Sequence, residues 1–111
     1  MPQRDVTITL RQMLDHAREA VGLASGLTRT SLESKRVLSL AIVRLLEILG
    51  EAANRVPAAE RAHYPQIAWA QLIGLRNRLI HAYDAVDFDI LWRILSQDLP
   101  VLVAELEKLV S

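Results

Sequence analysis

Residues 30–57 read TSLESKRVLSLAIVRLLEILGEAANRVP. Apolar side chains fall at Val37, Leu38, Ala41, Ile42, Leu45, Leu46, Ile48, Leu49, Ala52, Ala53 and Val56. That is the three-and-four spacing of an α-helix, not the alternation of a strand. Thr30 and Glu33 form a T-x-x-E capping box at its start, and Pro57 ends it. Apolar positions cover well over half its circumference, so the helix is expected at the centre of an all-α domain, touching several neighbours. Gly50 lies inside it and costs about 1 kcal/mol of helix propensity against Ala. A close approach by another helix is the expected compensation.

Working outward, Leu10, Met13, Leu14, Ala17, Ala20, Val21 and Ala24 give a first helix over about Thr7 to Ala24, capped by Asp5 or Thr7. Pro57 also begins a short helical turn through Glu60 to Tyr64, and Pro65 breaks the chain again. A third helix is expected over roughly Ile67 to Tyr83. A fourth starts at Asp87, a good N-cap, and runs towards Val110. Pro100 removes one backbone bond inside it and should kink it near Ser96 to Leu99. The connections are short, so these elements are expected to form one domain over residues 1–111, an antiparallel four- to five-helix bundle.

The bulk composition agrees. The chain has 111 residues, room for one core, and 51% of them are apolar, which suits a bundle rich in Leu, Ala, Ile and Val. There is no cysteine, hence no disulfide and no thiolate metal site. No apolar run approaches the ~18 residues that suggest a membrane span. The N-terminus carries no secretion signal, so a cytoplasmic location with no membrane partner is the expectation. The 13 basic and 13 acidic residues cancel. That counts against a constitutive nucleic-acid binder but not against an enzyme gripping one or two phosphates with a few arginines.

The third helix holds the chemical signal. On a wheel of 100° per residue with Arg76 at zero, Trp69, Leu72, Ile73, Leu79, Ile80 and Tyr83 fall within about 60° of it. Arg76 then occupies the middle of an apolar stripe and needs a partner or a job. Gly74, Asn77 and His81 form a line on one flank. One reading is structural: Arg76 snorkels or pairs with Glu47 or Glu51, and His81 complements the helix dipole. The other is a metal-free phosphodiester cleaver. A histidine can take the proton of a ribose 2′-hydroxyl, and an arginine offers a planar fork of donors to phosphate oxygens. Asn77 can fix the ribose or the His81 tautomer. One such histidine per chain suits a two-fold dimer that brings two Arg76–His81 sets into one cleft.

Other candidates are blander. Glu47 and Glu51, one turn apart, suit a metal pair, but pairing with Arg44 and Arg55 or holding Arg76 is the simpler expectation. His16 and His63 lack ligand-spaced companions and read as surface residues. Trp69 and Trp92 read as packing, and Arg78 and Arg93 as exposed arginines.

The run Gly74-Leu75-Arg76-Asn77-Arg78-Leu79-Ile80-His81-Ala82-Tyr83 resembles the R-x4-H-x-Y signature of HepT-like proteins of the HEPN superfamily. Ile48-Leu49-Gly50-Glu51-Ala52-Ala53 is similar to that family's second-helix motif, and Pro65-Gln66-Ile67-Ala68-Trp69 to its approach to the third helix. Tyr83-Asp84-Ala85-Val86-Asp87, Leu91-Trp92 and Asp98-Leu99-Pro100 resemble the start and body of its final helix. Ala82 departs from the pattern, where Gly is more usual. The resemblance implies a homodimeric, metal-independent RNase toxin of a toxin–antitoxin pair, without cofactor, with Arg76, Asn77 and His81 in the catalytic cleft. It implies RNA as substrate and, as partner, an MntA-like nucleotidyltransferase antitoxin that transfers AMP to the motif tyrosine, here Tyr83. A non-catalytic HEPN module that binds or regulates a minimal nucleotidyltransferase is the rival expectation.

Overall fold

In the computed structural model, which describes residues 5–81 and 85–110, Asp5 opens the first long helix by accepting the Thr7 N–H at 2.9 Å. This helix, α1 (Val6–Ala24), buries Leu10, Met13, Leu14, Ala17 and Ala20, the stripe read from the sequence. Its start and end agree with expectation to within a residue.

The stretch after α1 differs from expectation. A capping box forms two residues earlier than Thr30 and Glu33 would place it. Thr28 Oγ1 accepts the Ser31 N–H at 3.0 Å, and Ser31 Oγ accepts the Thr28 N–H at 2.7 Å. Glu33 pairs instead with Arg29, one turn back. The short helix α2 (Arg29–Ser34) stops at Lys35, whose φ −93° and ψ 78° leave the helical region. The long helix α3 (Arg36–Arg55) begins immediately after it. The break lets α2 pack on the N-terminal part of the last rod as well as on α3. There Arg29 Nε meets Asp89 Oδ1 at 2.8 Å, its guanidinium lies 6.0 Å from the centre of the Phe88 ring, and Leu32 is buried.

The central position expected for α3 is observed. It packs against α1, α2 and the two short helices at residues 69–73 and 75–79, and buries Ile42, Val43, Leu46, Leu49, Gly50, Ala52 and Ala53. After Pro57 comes α4 (Ala58–Arg61). Arg61 Nε donates to the Val56 carbonyl at 2.8 Å and stitches the turn to the end of α3.

The third helix is in pieces. Helix α5 (Trp69–Ile73) and helix α6 (Leu75–Leu79) are separated by Gly74, at φ −87° and ψ 8°. Beyond Leu79 the chain is extended: Ile80, with φ −107° and ψ 121°, pairs with Val86 in an isolated antiparallel bridge. His81 N–H donates to the Ala85 carbonyl at 2.8 Å, and Asp87 N–H to the Leu79 carbonyl at 2.9 Å. β-Branched residues at both bridge positions favour this extended backbone.

The last rod is one continuous element in three parts. Helix α7 (Phe88–Arg93) is capped by Asp87, a wider π turn covers Ile94–Asp98, and α8 (Leu99–Val110) completes it. The disturbance expected from Pro100 takes this form. The Leu99 N–H reaches back five residues to the Ile94 carbonyl, so the extra residue per turn is absorbed just before the proline that cannot donate. Leu91, Ile94, Leu95, Leu99, Leu102 and Leu106 all remain buried.

The described residues thus form an all-α globule of 45 × 30 × 21 Å. It has three long rods, α1, α3 and α7–α8, and a broken edge where the third helix of the expected four- to five-helix bundle was to lie. Among the described residues, no helix is long and apolar enough to cross a membrane.

Candidate active site

Gly50 is where the site begins. A Cβ added there would lie 2.7 Å from the Leu72 carbonyl oxygen, so only glycine lets the α5 backbone approach α3 this closely. The close approach expected to offset this glycine is therefore present. One turn on from Leu72, Arg76 crosses to α3, its Nε 3.3 Å from Glu47 Oε2. Glu47, Gly50, Glu51, Asn54, Ile73 and Arg76 line a cleft of about 190 Å³ between the two segments.

Arg76 does not lie in the middle of a buried stripe. Its side chain is 65% exposed, while Leu72, Leu75 and Leu79 take the buried positions. The wheel failed because the helix bends at Gly74 and stops at Leu79. The carboxylate partner considered for Arg76 is Glu47. Glu51 pairs with Arg44 at 3.7 Å, two turns back along α3. Asn77 is exposed on α6. Arg78 turns to the opposite side and meets Asp98 of the π turn at 3.5 Å.

His81 lies beyond α6, whose C-cap is Ile80, so it shares no helical line with Gly74 and Asn77. Its side chain is 55% exposed, and Nε2 is 3.2 Å from Asp87 Oδ2. The other oxygen of Asp87 accepts the backbone N–H groups of Asp89 at 3.1 Å and Ile90 at 3.0 Å. The Ile90 N–H does most to hold the Asp87 carboxyl below the usual carboxylate range, with His81 and the Asp89 N–H adding to it. Among the described residues, no hydrogen bond or ion pair joins Arg76, Asn77 and His81 to one another; each ion pair runs to a carboxylate elsewhere. Tyr83 lies outside the described residues.

Sequence reasoning took Asp87 only as a helix cap. Its second role depends on the bridge between Ile80 and Val86, which sets residues 81 and 87 on facing arms. The readable signal was the pair of β-branched residues flanking the motif. The remaining candidates keep their plainer readings. Trp69 and Trp92 pack against the core, and Trp69 Nε1 donates to the Tyr64 carbonyl at 3.0 Å. His63 is exposed and His16 half-buried. Among the described residues, no three His, Cys, Asp or Glu side chains are grouped to hold a metal.

Residues 13–109 match the family model described as "Ribonuclease HepT-like". The chain belongs to this HepT-like family. It is 32% identical over 107 residues to a "Putative RNase" of Methanocaldococcus jannaschii, covering 96% of this chain and 98% of that one. It is 33% identical over 103 residues to the "Probable ribonuclease HepT" of Thermococcus cleftensis, covering 89% and 94%. A "Putative RNase" of Caldanaerobacter subterraneus is 31% identical over 102 residues, covering 92% and 88%. No solved structure matches the chain.

Proposed function

We propose that this HepT-like chain is a metal-independent endoribonuclease, the toxin of a toxin–antitoxin pair, and that it works as a homodimer on RNA. One observation carries the reading: within six residues of the family motif, Arg76 and His81 are both turned to solvent, each steadied by a carboxylate. Surface placement suits groups that must meet a polyanion. His81 takes the proton of a ribose 2′-hydroxyl, whose oxygen then attacks the adjacent phosphorus. The bond from phosphorus to the 5′ oxygen breaks, and that oxygen leaves with a proton from an acid. Glu47 engages Nε of Arg76, so the two terminal guanidinium nitrogens form the fork for the phosphate oxygens as charge builds. Asn77, next to Arg76, holds the ribose.

A base and an acid are both needed, and each chain brings one motif histidine. A two-fold dimer with both motifs in one cleft supplies the pair. An MntA-like nucleotidyltransferase antitoxin silences the toxin by moving AMP from ATP onto Tyr83, two residues from His81. The added phosphate competes for Arg76, and the adenosine blocks the RNA path.

The test is His81→Ala. Cleavage should fall by about 10²-fold or more while the chain stays folded and dimeric, and chelator should leave the wild-type rate intact. Toxicity on expression should vanish with His81 and with co-expressed antitoxin, and mass spectrometry should then place AMP on Tyr83 and none on a Tyr83→Phe chain. Full cleavage by His81→Ala would remove His81 as the base, and a wild-type chain that neither cleaves RNA nor is toxic would leave the non-catalytic binding module as the better reading.

A further inference from the structure

We propose that Asp87 is a positioning residue for His81: it fixes the imidazole tautomer so that Nδ1 is the atom that takes the proton. The inference rests on the reading of His81 as the base and goes beyond it by naming the atom and its support.

The carboxylate of Asp87 has little freedom. Oδ1 is fixed by the N–H groups of Asp89 and Ile90 at the first turn of α7. With that oxygen anchored, Oδ2 faces Nε2 of His81 at 3.2 Å. An ionised carboxylate only accepts hydrogen bonds. Its partner must therefore donate, so Nε2 carries the hydrogen and the lone pair of the neutral ring is at Nδ1. The backbone closes the same arrangement from below. His81 N–H to the Ala85 carbonyl and Asp87 N–H to the Leu79 carbonyl, at 2.8 and 2.9 Å, clamp the two arms that carry the imidazole and the carboxylate. When Nδ1 takes a proton, the ring becomes a cation beside a carboxylate already in place, a role that an oriented aspartate plays for histidine bases in general.

Substitutions separate this role from helix capping. Asn and Ser both cap as well as Asp. In Asp87→Asn the amide oxygen must stay on the Asp89 and Ile90 N–H groups, which turns the NH2 towards His81. Two donors cannot face each other, so Nε2 becomes the acceptor and the hydrogen moves to Nδ1. Ser caps but is too short to reach the ring.

The experiment is nitrogen NMR of the His81 imidazole in the neutral form, with RNA cleavage and helicity measured on the same samples. The wild type should show hydrogen on Nε2, Asp87→Asn on Nδ1, and Asp87→Ser a mixture, with all three equally helical. Cleavage by Asp87→Asn should fall by about 10²-fold or more, the magnitude of a misplaced general base, with RNA affinity retained. An unchanged tautomer in Asp87→Asn overturns the proposal, as does full activity in Asp87→Asn when His81→Ala is dead. The NMR result needs no RNA. A tautomer switch in a chain that never cleaves RNA would support the contact while removing the ribonuclease reading.

Discussion

The three long rods and the edge between Pro57 and Asp87 share one apolar core, yet the edge depends far more on single polar contacts. In the rods, Met13, Ile42, Leu46, Leu49, Leu91 and Leu106 are fully or almost fully buried. Their helices run for 19 and 20 residues in α1 and α3, and burial of apolar stripes supports them. The edge is built from helices of four and five residues, too short to be stable alone. It shares the core through Ile67, Leu72, Leu75 and Leu79, and adds to it a set of single polar links: Arg61 to Val56, Trp69 to Tyr64, Arg76 to Glu47, His81 to Asp87. The motif lies on the fastened part. A broken backbone can present polar side chains at angles that one helical stripe cannot, and the rods supply the fixed surface it leans on.

The largest expected effect lies in the rods. Leu46 is wholly buried on α3, and Leu46→Ala should cost about 2–5 kcal/mol of unfolding free energy, read by urea denaturation. Catalytic rate per folded molecule should stay at the wild-type value. A large loss of rate below the melting temperature would break the division between body and edge.

Gly50 is where the two regions touch, so its substitution should register in both. The added methyl meets a backbone oxygen, not a yielding side-chain tip. Overpacking of that kind costs about 1–3 kcal/mol, offset by about 1 kcal/mol of helix propensity. Gly50→Ala should therefore lose up to about 2 kcal/mol and, by pushing α5–α6 off α3, stretch the Arg76–Glu47 contact and slow cleavage. A stability loss with no change in rate would mean that the cleft tolerates the shift.

The same division governs what could be read from the sequence. Periodicity located α1, the core of α3 and the last rod because long apolar stripes dominate there, and Gly50 gave away its close approach. Two boundaries were misread for one physical reason: local rules compete, and the structure decides among them. Thr28 with Ser31 outcompeted Thr30 with Glu33, and α2 bent away at Lys35 to reach α7. Residues 75–83 carry helical spacing throughout, yet the chain leaves the helix at Ile80, because pairing with Val86 and capping by Asp87 are available only once residues 79 and 87 have met. Arg76 and His81 were singled out by their place in the third helix and by the family motif, and Glu47 was among the partners expected for Arg76, but Asp87 was not expected for His81; the two contacts span 29 and six residues. Helical spacing describes neither.

The smallest expected effect is an acid limb of stability belonging to the edge. Backbone donation from Ile90, together with His81 and Asp89, lowers the Asp87 carboxyl below the ordinary range. A carboxyl lowered by folding stabilises the native state above its ordinary range, and that contribution fades as pH falls through the folded value, because the unfolded chain then binds the proton more readily. Asp87→Asn keeps the cap and cannot titrate. The wild type should therefore be the more stable of the two at about pH 6, with the gap narrowing steadily as pH falls through and below the ordinary carboxylate range. The gap should be small, since the carboxylate is partly exposed and its pairing is screened by water and salt. Urea midpoints for both chains across that range provide the measurement, with slopes checked to be equal so that midpoints report stability. A gap that stays constant with pH would mean that the substitution acts through packing, and that the carboxylate's charge does nothing to fasten the edge to the last rod.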